Sequence, residues 1–136
     1  MELAVRDAEG APIRCEFIDG QGSQLKITAG DVEYSIGVSI AGATGAWVYN
    51  TRPSVKKMYI VKSAERGRPV DIRLLRLSRQ SDALSIGGRA FFELNDGKIL
   101  QLLLVGTLYY RDGDDLDEAR FKYKIYDAGS FLIDAL

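Results

Sequence analysis

The chain of 136 residues carries 18 basic and 19 acidic side chains, a net charge of -1, and no histidine. At 46% hydrophobic and 27% charged its composition is that of an ordinary globular protein, and size scaling puts about two-thirds of the surface of a single domain, residues 1–136, out of water. The absence of histidine and the presence of Cys15 alone exclude Ser-His-Asp and Cys-His catalysis, zinc sites built on imidazole or several thiolates, and iron–sulfur clusters; no cofactor is expected.

Four short alternating segments open the chain. Leu3 and Val5 alternate with Glu2 and Arg6, and Ile13, Cys15 and Phe17 alternate with Arg14 and Glu16. Leu25, Ile27 and Ala29 alternate with Lys26 and Thr28; Val32, Tyr34, Ile36, Val38 and Ile40 alternate with Glu33, Ser35, Gly37 and Ser39. A period of two marks half-buried strands, and the Gly, Asp and Pro residues between them mark corners. The same phase makes Cys15 a small buried hydrophobe rather than a reactive thiol. A small-residue break over 41–46 precedes Trp47-Val48-Tyr49. Its Gly45-Ala46-Trp47 shares a Gly-x-Trp with lipocalin-type barrels, which carry it on the first strand; after four strands the tryptophan reads instead as an aromatic core anchor.

Arg52-Pro53 should stop a strand, and Met58-Tyr59-Ile60-Val61 should resume one. Residues 69–79 fit two descriptions equally. A helix would begin at Pro69, place Val70, Leu74 and Leu77 on one face and line Arg73, Arg76 and Arg79 along another; a strand would have a muddled apolar phase. Residues 84–127 read as three successive strands. Asn95-Asp96-Gly97, whose residues tolerate φ > 0, joins the first two, and an acidic loop over 112–118 joins the last two. The middle strand, 99–110, is apolar on both parities at Leu102-Leu103-Leu104-Val105, as a central strand covered on both faces would be. In the last, Phe121, Tyr123 and Ile125 face one way and Arg120, Lys122 and Lys124 the other. Phe131-Leu132-Ile133 forms a short strand or a docked tail. The expected fold is mainly β, an antiparallel barrel or sandwich of about 8–10 strands; the alternative is α+β with one helix near 69–79.

Charge is unevenly placed. Residues 52–79 hold nine basic side chains against two acidic ones, while the rest of the chain is net acidic. This asymmetry points to an anionic partner, a phosphorylated small molecule, nucleotide or nucleic acid. The candidate ligand-binding residues are Arg52, Lys56, Lys57, Arg66, Arg68, Arg73 and Arg76. Arg66-Gly67-Arg68 could present two guanidinium forks to one phosphate, with Tyr49 and Tyr59 available for stacking. Asp112, Asp114, Asp115 and Asp117 carry the oxygens a hard cation takes, but Leu116 interrupts the ligand spacing of a calcium loop, and a solvated hairpin tip explains them better. No metal is assigned.

Ser85-Ile86-Gly87-Gly88, preceded by Asp82, resembles in outline the Asp-x-Ser-x-x-Gly turn of PilZ domains, β-barrels that bind cyclic di-GMP. The resemblance would cover residues 66–127 and implies a cyclic di-GMP site. Asp82 and Ser85 are one residue further apart than in that motif, and no Arg-x-x-x-Arg occurs among Arg66, Arg68 and Arg73. A glycine pair making a bulge or a close backbone approach inside a strand explains the same residues better.

Three function classes follow. The favoured one is a non-catalytic binding module for an anion on a basic face of residues 52–79. The alternative is a structural, self-assembling β protein, a homo-oligomer joined through strand edges or opposite charge poles. The third, a carboxylate-based enzyme, needs paired acids in a pocket that shifts their pKa values. No apolar run approaches the ~20 residues of a membrane helix, and residues 1–7 lack the regions of a signal peptide, so no membrane partner and a cytoplasmic location are expected.

Overall fold

The computed structural model describes residues 3–18, 22–40, 44–61, 68–108, 117–134 and 136. Among these, the strands in chain order are β1 (Leu3–Asp7), β2 (Cys15–Ile18), β3 (Gly22–Ala29), β4 (Val32–Ile40), β5 (Gly45–Tyr49), β6 (Val55–Val61), β7 (Val70–Asp71), β8 (Leu77–Ser78), β9 (Ser81–Ser85), β10 (Arg89–Leu94), β11 (Ile99–Leu108), β12 (Asp117–Tyr126) and β13 (Leu132–Ile133). A large sheet runs β1-β12-β11-β10-β6-β8, a smaller one β2-β3-β4-β5-β9, and β7 pairs with β13. The fold is mainly β, as expected, and the sheets do not close into a barrel.

The main core lies between the two sheets. The smaller sheet contributes Leu25, Ile27, Tyr34, Ile36, Val38, Ala46, Val48 and Leu84; the larger contributes Met58, Phe92, Leu100, Leu102, Leu104 and Phe121, among others. Among the described side chains of residues 25–40, the alternation read in the sequence is the alternation between this core and solvent, except at Val32, which is 42% exposed. Cys15 and Ile13 pack on its margin, half-buried, and burial raises the Cys15 thiol pKa, with Ser23's hydrogen bond opposing and the Glu16 charge adding to it.

The large sheet is covered on its other face too. There Phe91 of β10 and Ile99 of β11 join Val70, Ile72 and Ile133, carried by the β7–β13 pair and the turn beside it. This cover meets the outward apolar parity of β11 only at Ile99. Leu100, Leu102 and Leu104 enter the main core, but outward Leu103 is half-buried and Val105 is 39% exposed, so 102–105 lacks the cover on both faces that its sequence predicts.

Three further expectations are corrected. Residues 69–79 form no α-helix: a 3-10 turn, Ile72–Leu74, separates the two-residue strands β7 and β8. Asp71 caps that turn by accepting from the Arg73 N–H (3.0 Å), while β7 and β8 are claimed by β13 and β6, so Leu74 is left 84% exposed instead of sharing a buried face. Trp47 is not a core anchor. Its neighbours Ala46 and Val48 point inward, and the indole lies on the outer face, 40% exposed. Finally, pairing is not wholly antiparallel: β1 runs parallel to β12, from Leu3 beside Asp117 to Asp7 beside Phe121. Local alternation encodes which face a residue takes but not strand direction.

Among the described residues the chain crosses between the two sheets four times, from β1 to β2, β5 to β6, β8 to β9 and β9 to β10. At the first, Pro12 bridges to Arg6 and the Ile13 N–H donates to Val5 O (2.9 Å) before β2 begins. At the third, β8 on the large sheet leads through Arg79 and Gln80 into β9 on the small one.

The Asn95-Asp96-Gly97 corner is the expected hairpin turn, with Gly97 at φ +86°. It also ties the sheets together, because the buried Tyr34 hydroxyl of β4 donates to Asp96 Oδ2. Burial, then the bond to Asp96 and its charge, push the Tyr34 pKa up to about 12. Burial opposes ionisation of Asp96 as well, but the Tyr34 hydroxyl, the Lys98 N–H and the Lys98 charge together hold its carboxyl below the usual range. The Tyr34 contribution is complete below its unfolded pKa of ~10 and is lost as pH rises toward the folded value; the Asp96 contribution is present above ~4 and is lost as pH falls through its lowered value. Thermal unfolding across pH should therefore show Tyr34→Phe destabilised by about 1–3 kcal/mol at neutral pH with a shallower alkaline decline than the parent. An unchanged alkaline slope would remove this assignment. In the main core, Phe92→Ala should cost about 3–5 kcal/mol by denaturant unfolding.

Candidate functional site

The basic residues of 52–79 do not form one face. Arg52 is exposed in the turn between β5 and β6, and Lys56 is exposed on β6. Lys57 pairs across strands with Glu93 and lines, with Arg73, Tyr59, Ile99 and Phe131, a hollow of about 300 Å³ on the outer face of the large sheet. Arg73 is neutralised locally: its Nε and Nη2 donate to the two oxygens of Asp71 (3.0 and 2.8 Å), and the guanidinium lies over the Phe131 ring at 4.7 Å. That bidentate bond comes first among the causes holding the Asp71 carboxyl below its ordinary range. Arg68 is exposed and contributes its carbonyl to the buried guanidinium of Arg89. Arg66 lies outside the described residues, and so do Asp112, Asp114 and Asp115. Asp117 is buried as the first residue of β12, and among the described residues no cluster of three or more metal-ligating side chains occurs.

Arg76 and Arg79 are brought together. With Ile60, Leu77, Ser78, Gln80, Ser81 and Asp82 they line a groove of about 1050 Å³ at the corner where the chain crosses from β8 to β9. The loop is held from behind, since the Asn50 N–H donates to Gln80 O (2.8 Å) and Asn50 Nδ2 to Arg79 O (3.4 Å). The backbone is thus fixed while both arginine side chains remain exposed. Neither makes an ion pair with a carboxylate among the described residues. Asp82, the acid of the lining, accepts at Oδ1 from the Ala83 N–H (2.9 Å). Ile60, on the inward face of β6, packs on the edge of the main core and gives the groove an apolar side. Such a lining offers two planar cationic forks, two hydroxyls, one amide and one carboxylate. It matches a phosphorylated molecule bearing hydroxyl or amino donors better than a bare polyanion.

Ser85 and the glycines after it close a different turn. Gly87, at φ +88°, donates its N–H to Leu104 O (2.8 Å), and Gly88 donates to Ser85 O (2.8 Å). A Cβ at Gly88 would stand 2.8 Å from Leu84 Cδ1 and 2.9 Å from Ser85 O. The close backbone approach is the one the glycine pair suggested, but it falls in the turn between β9 and β10 and not inside a strand.

Sequence reading missed a buried polar network on the outer face of the large sheet. Arg89, 3% exposed, donates from Nη1 to Gln101 Oε1 (3.2 Å) and from Nη2 to Arg68 O (3.0 Å). Gln101, fully buried, donates from Nε2 to the Tyr126 hydroxyl and to Asp134 O, both at 2.8 Å. Burial raises the Tyr126 pKa, the Gln101 bond lowering it in part. The available signal was a lone glutamine inside Ile99-Leu100-Gln101-Leu102-Leu103-Leu104, a polar residue with no place in an apolar strand unless partnered.

No family model, curated protein or solved structure matches this chain. Among the described residues no helix is long and apolar enough to cross a membrane.

Replacing Gln101 by Leu would strip Arg89, Tyr126 and the Asp134 carbonyl of a shared partner at constant volume. A loss of about 1–3 kcal/mol is expected in urea unfolding; an unchanged midpoint would mean that the network adds nothing to stability.

Proposed function

We propose that the protein is a non-catalytic binding module that takes an anionic, phosphorylated small molecule in the groove at the β8–β9 corner. The observation that carries this reading is the pair Arg76 and Arg79, exposed on a backbone tied down by Asn50 and lining a cleft of about 1050 Å³. The two guanidinium groups take the phosphate, Ser78, Ser81 and Asp82 meet hydroxyl or amino donors, and Ile60 and Leu77 cover an apolar ring edge. Nucleotides and sugar phosphates have this combination.

A thermal-shift panel at low salt, holding ATP, cyclic di-GMP, a sugar phosphate and a short single-stranded DNA, tests it. A ligand that binds only the folded state raises Tm with concentration. The expected result is a shift with a phosphorylated small molecule that weakens as salt is added and weakens by about tenfold or more in affinity for each arginine removed in Arg76→Ala and Arg79→Ala. Both side chains are exposed, so the unliganded Tm should move little. Binding that survives the double variant would overturn the site, and a shift by the DNA alone would replace the small molecule with nucleic acid.

Self-association is a second reading, favoured by the apolar side chains left on the outside of the β7–β13 layer: Leu74 at 84%, Leu132 at 69% and Phe131 at 46% exposure. Exposed large apolar side chains on one layer are what an interface between copies would bury. Light scattering should then give a mass that rises with concentration in the parent and stays monomeric in a Leu74→Asp, Leu132→Asp variant; a monomeric parent at high concentration would remove this reading.

A further inference from the structure

The outer face of the smaller sheet carries an aromatic platform. From Ser35 of β4 across β5 and β9, its outward residues are serines, glycines, Ala83, Trp47 and Tyr49. In the register Trp47 stands between Ser39 and Ala83, and Tyr49 between Gly37 and Ser81. Neighbours this small cannot cover an indole, and Trp47 is left 40% exposed. Gly37 gives Tyr49 its pose: a Cβ there would stand 3.0 Å from Tyr49 Cβ and 3.3 Å from its Cδ2. With none, the phenol ring leans over β4, and its hydroxyl meets Ser39 Oγ at 3.0 Å, beside Trp47. The two aromatic residues stand about 7 Å apart along one strand.

At the other end of this face four charged side chains cancel one another. Arg14 bonds Glu16 (3.0 Å) and Glu33 (2.9 Å), and Lys26 lies 3.7 and 3.8 Å from the same two carboxylates. The aromatic end is thus uncharged along its described outward rows. A nucleic acid would stack bases on such rings but needs cations for its phosphates, which these rows do not hold. A second copy would need an apolar patch, whereas Trp47 is the one large exposed apolar side chain among the described outward residues of β4, β5 and β9. A neutral saccharide suits the surface. The C–H face of a pyranose packs on an aromatic ring, and its hydroxyls exchange hydrogen bonds with serine and tyrosine hydroxyls.

We propose that Trp47 and Tyr49 form a binding platform for a neutral oligosaccharide, its rings stacked on the two side chains and its hydroxyls bonded to Ser39 and the Tyr49 hydroxyl. The platform meets the groove of the β8–β9 corner at Ser81 but uses neither Arg76 nor Arg79, so either site stands without the other.

Trp47 is the chain's one tryptophan, so its fluorescence reports on the platform alone. Cellohexaose, maltohexaose, chitohexaose and an oligothymidylate are titrated at low and high salt, beside a dilution series of the protein without ligand. At least one neutral hexasaccharide should shift the emission to shorter wavelength saturably, with an affinity that changes less than about twofold with salt. Ala83→Arg, which lays a guanidinium across the indole, should weaken that binding by about tenfold or more with Tm little changed. Trp47→Ala, followed by calorimetry, should do the same, and Arg76→Ala/Arg79→Ala should change nothing. Because Ala83→Arg keeps the tryptophan, a Trp47 variant that fails to fold leaves the test intact. No saturable shift from any hexasaccharide up to about 10 mM, undiminished binding in Ala83→Arg, or loss of binding in the arginine double variant would overturn the platform. So would a salt-sensitive shift by the oligothymidylate alone, which gives the face to nucleic acid, or a shift with protein concentration alone, which gives it to a second copy.

Discussion

The large sheet has to hide apolar side chains on both of its faces, and much of the architecture follows from that. Between β10 and β11, Phe92, Leu100 and Leu102 point into the space shared with the smaller sheet, while Phe91 and Ile99 point the other way. A strand whose two parities are both apolar cannot sit on the wet side of a two-layer sandwich, because each exposed large side chain forfeits about 1.5–3 kcal/mol of burial. The chain therefore supplies a third, partial layer from β7, the 3-10 turn and β13. That layer dictates the fate of residues 68–75: Val70 and Ile72 go down onto Phe91 and Ile99, and Arg73 is left on top, closed on Asp71 and Phe131. Where Gln101 interrupts the apolar row, Arg89, Tyr126 and the Asp134 carbonyl oxygen supply its partners.

How much of this was legible depended on whether a residue's environment is set by its neighbours in sequence. The early strands were, because period-two alternation is a local property and only one sheet face there is buried. The hairpin at Asn95-Asp96-Gly97 was, because the need for φ > 0 is local to the turn. The two apolar parities of β11 announced cover on both sides, which the structure supplies at Ile99 but not at Val105, 39% exposed. Residues 69–79 were ambiguous for a reason now visible: they serve two masters, β7 facing β13 and β8 edging β6, so neither a period of two nor one of 3.6 persists long enough to be read. Trp47 misled because aromatic size predicts burial on average, while its place on β5 is decided by Ala46 and Val48, small and β-branched side chains that fit the core better.

Charge was the least transferable signal. Nine cations within residues 52–79 suggested one basic face, yet the segment crosses a turn, the β6 strand, the third layer and the corner into β9, and its described charges disperse with it. Arg73 is spent on Asp71, Lys57 stands opposite Glu93, and Arg68 acts through its backbone. Among the described residues, Lys57 and Arg73 share the small hollow with their acidic neighbours close by, and Arg76 and Arg79 share the groove at the corner. Conversely, the row Arg120, Lys122 and Lys124 was read correctly as the wet side of β12, but which residues it stands beside depends on strand order, which no local pattern contains.

The central functional claim, that the β8–β9 corner holds a phosphorylated ligand, is tested most directly by where a ligand touches the protein. A titration of isotope-labelled protein with ATP, followed by backbone amide and arginine side-chain NMR shifts, makes that visible residue by residue. The account predicts that the largest, saturable changes fall on residues 76–82 and Ile60, with the Arg76 and Arg79 side chains among them. Changes centred on the β7–β13 layer or on β12, or none across the corner, would contradict it.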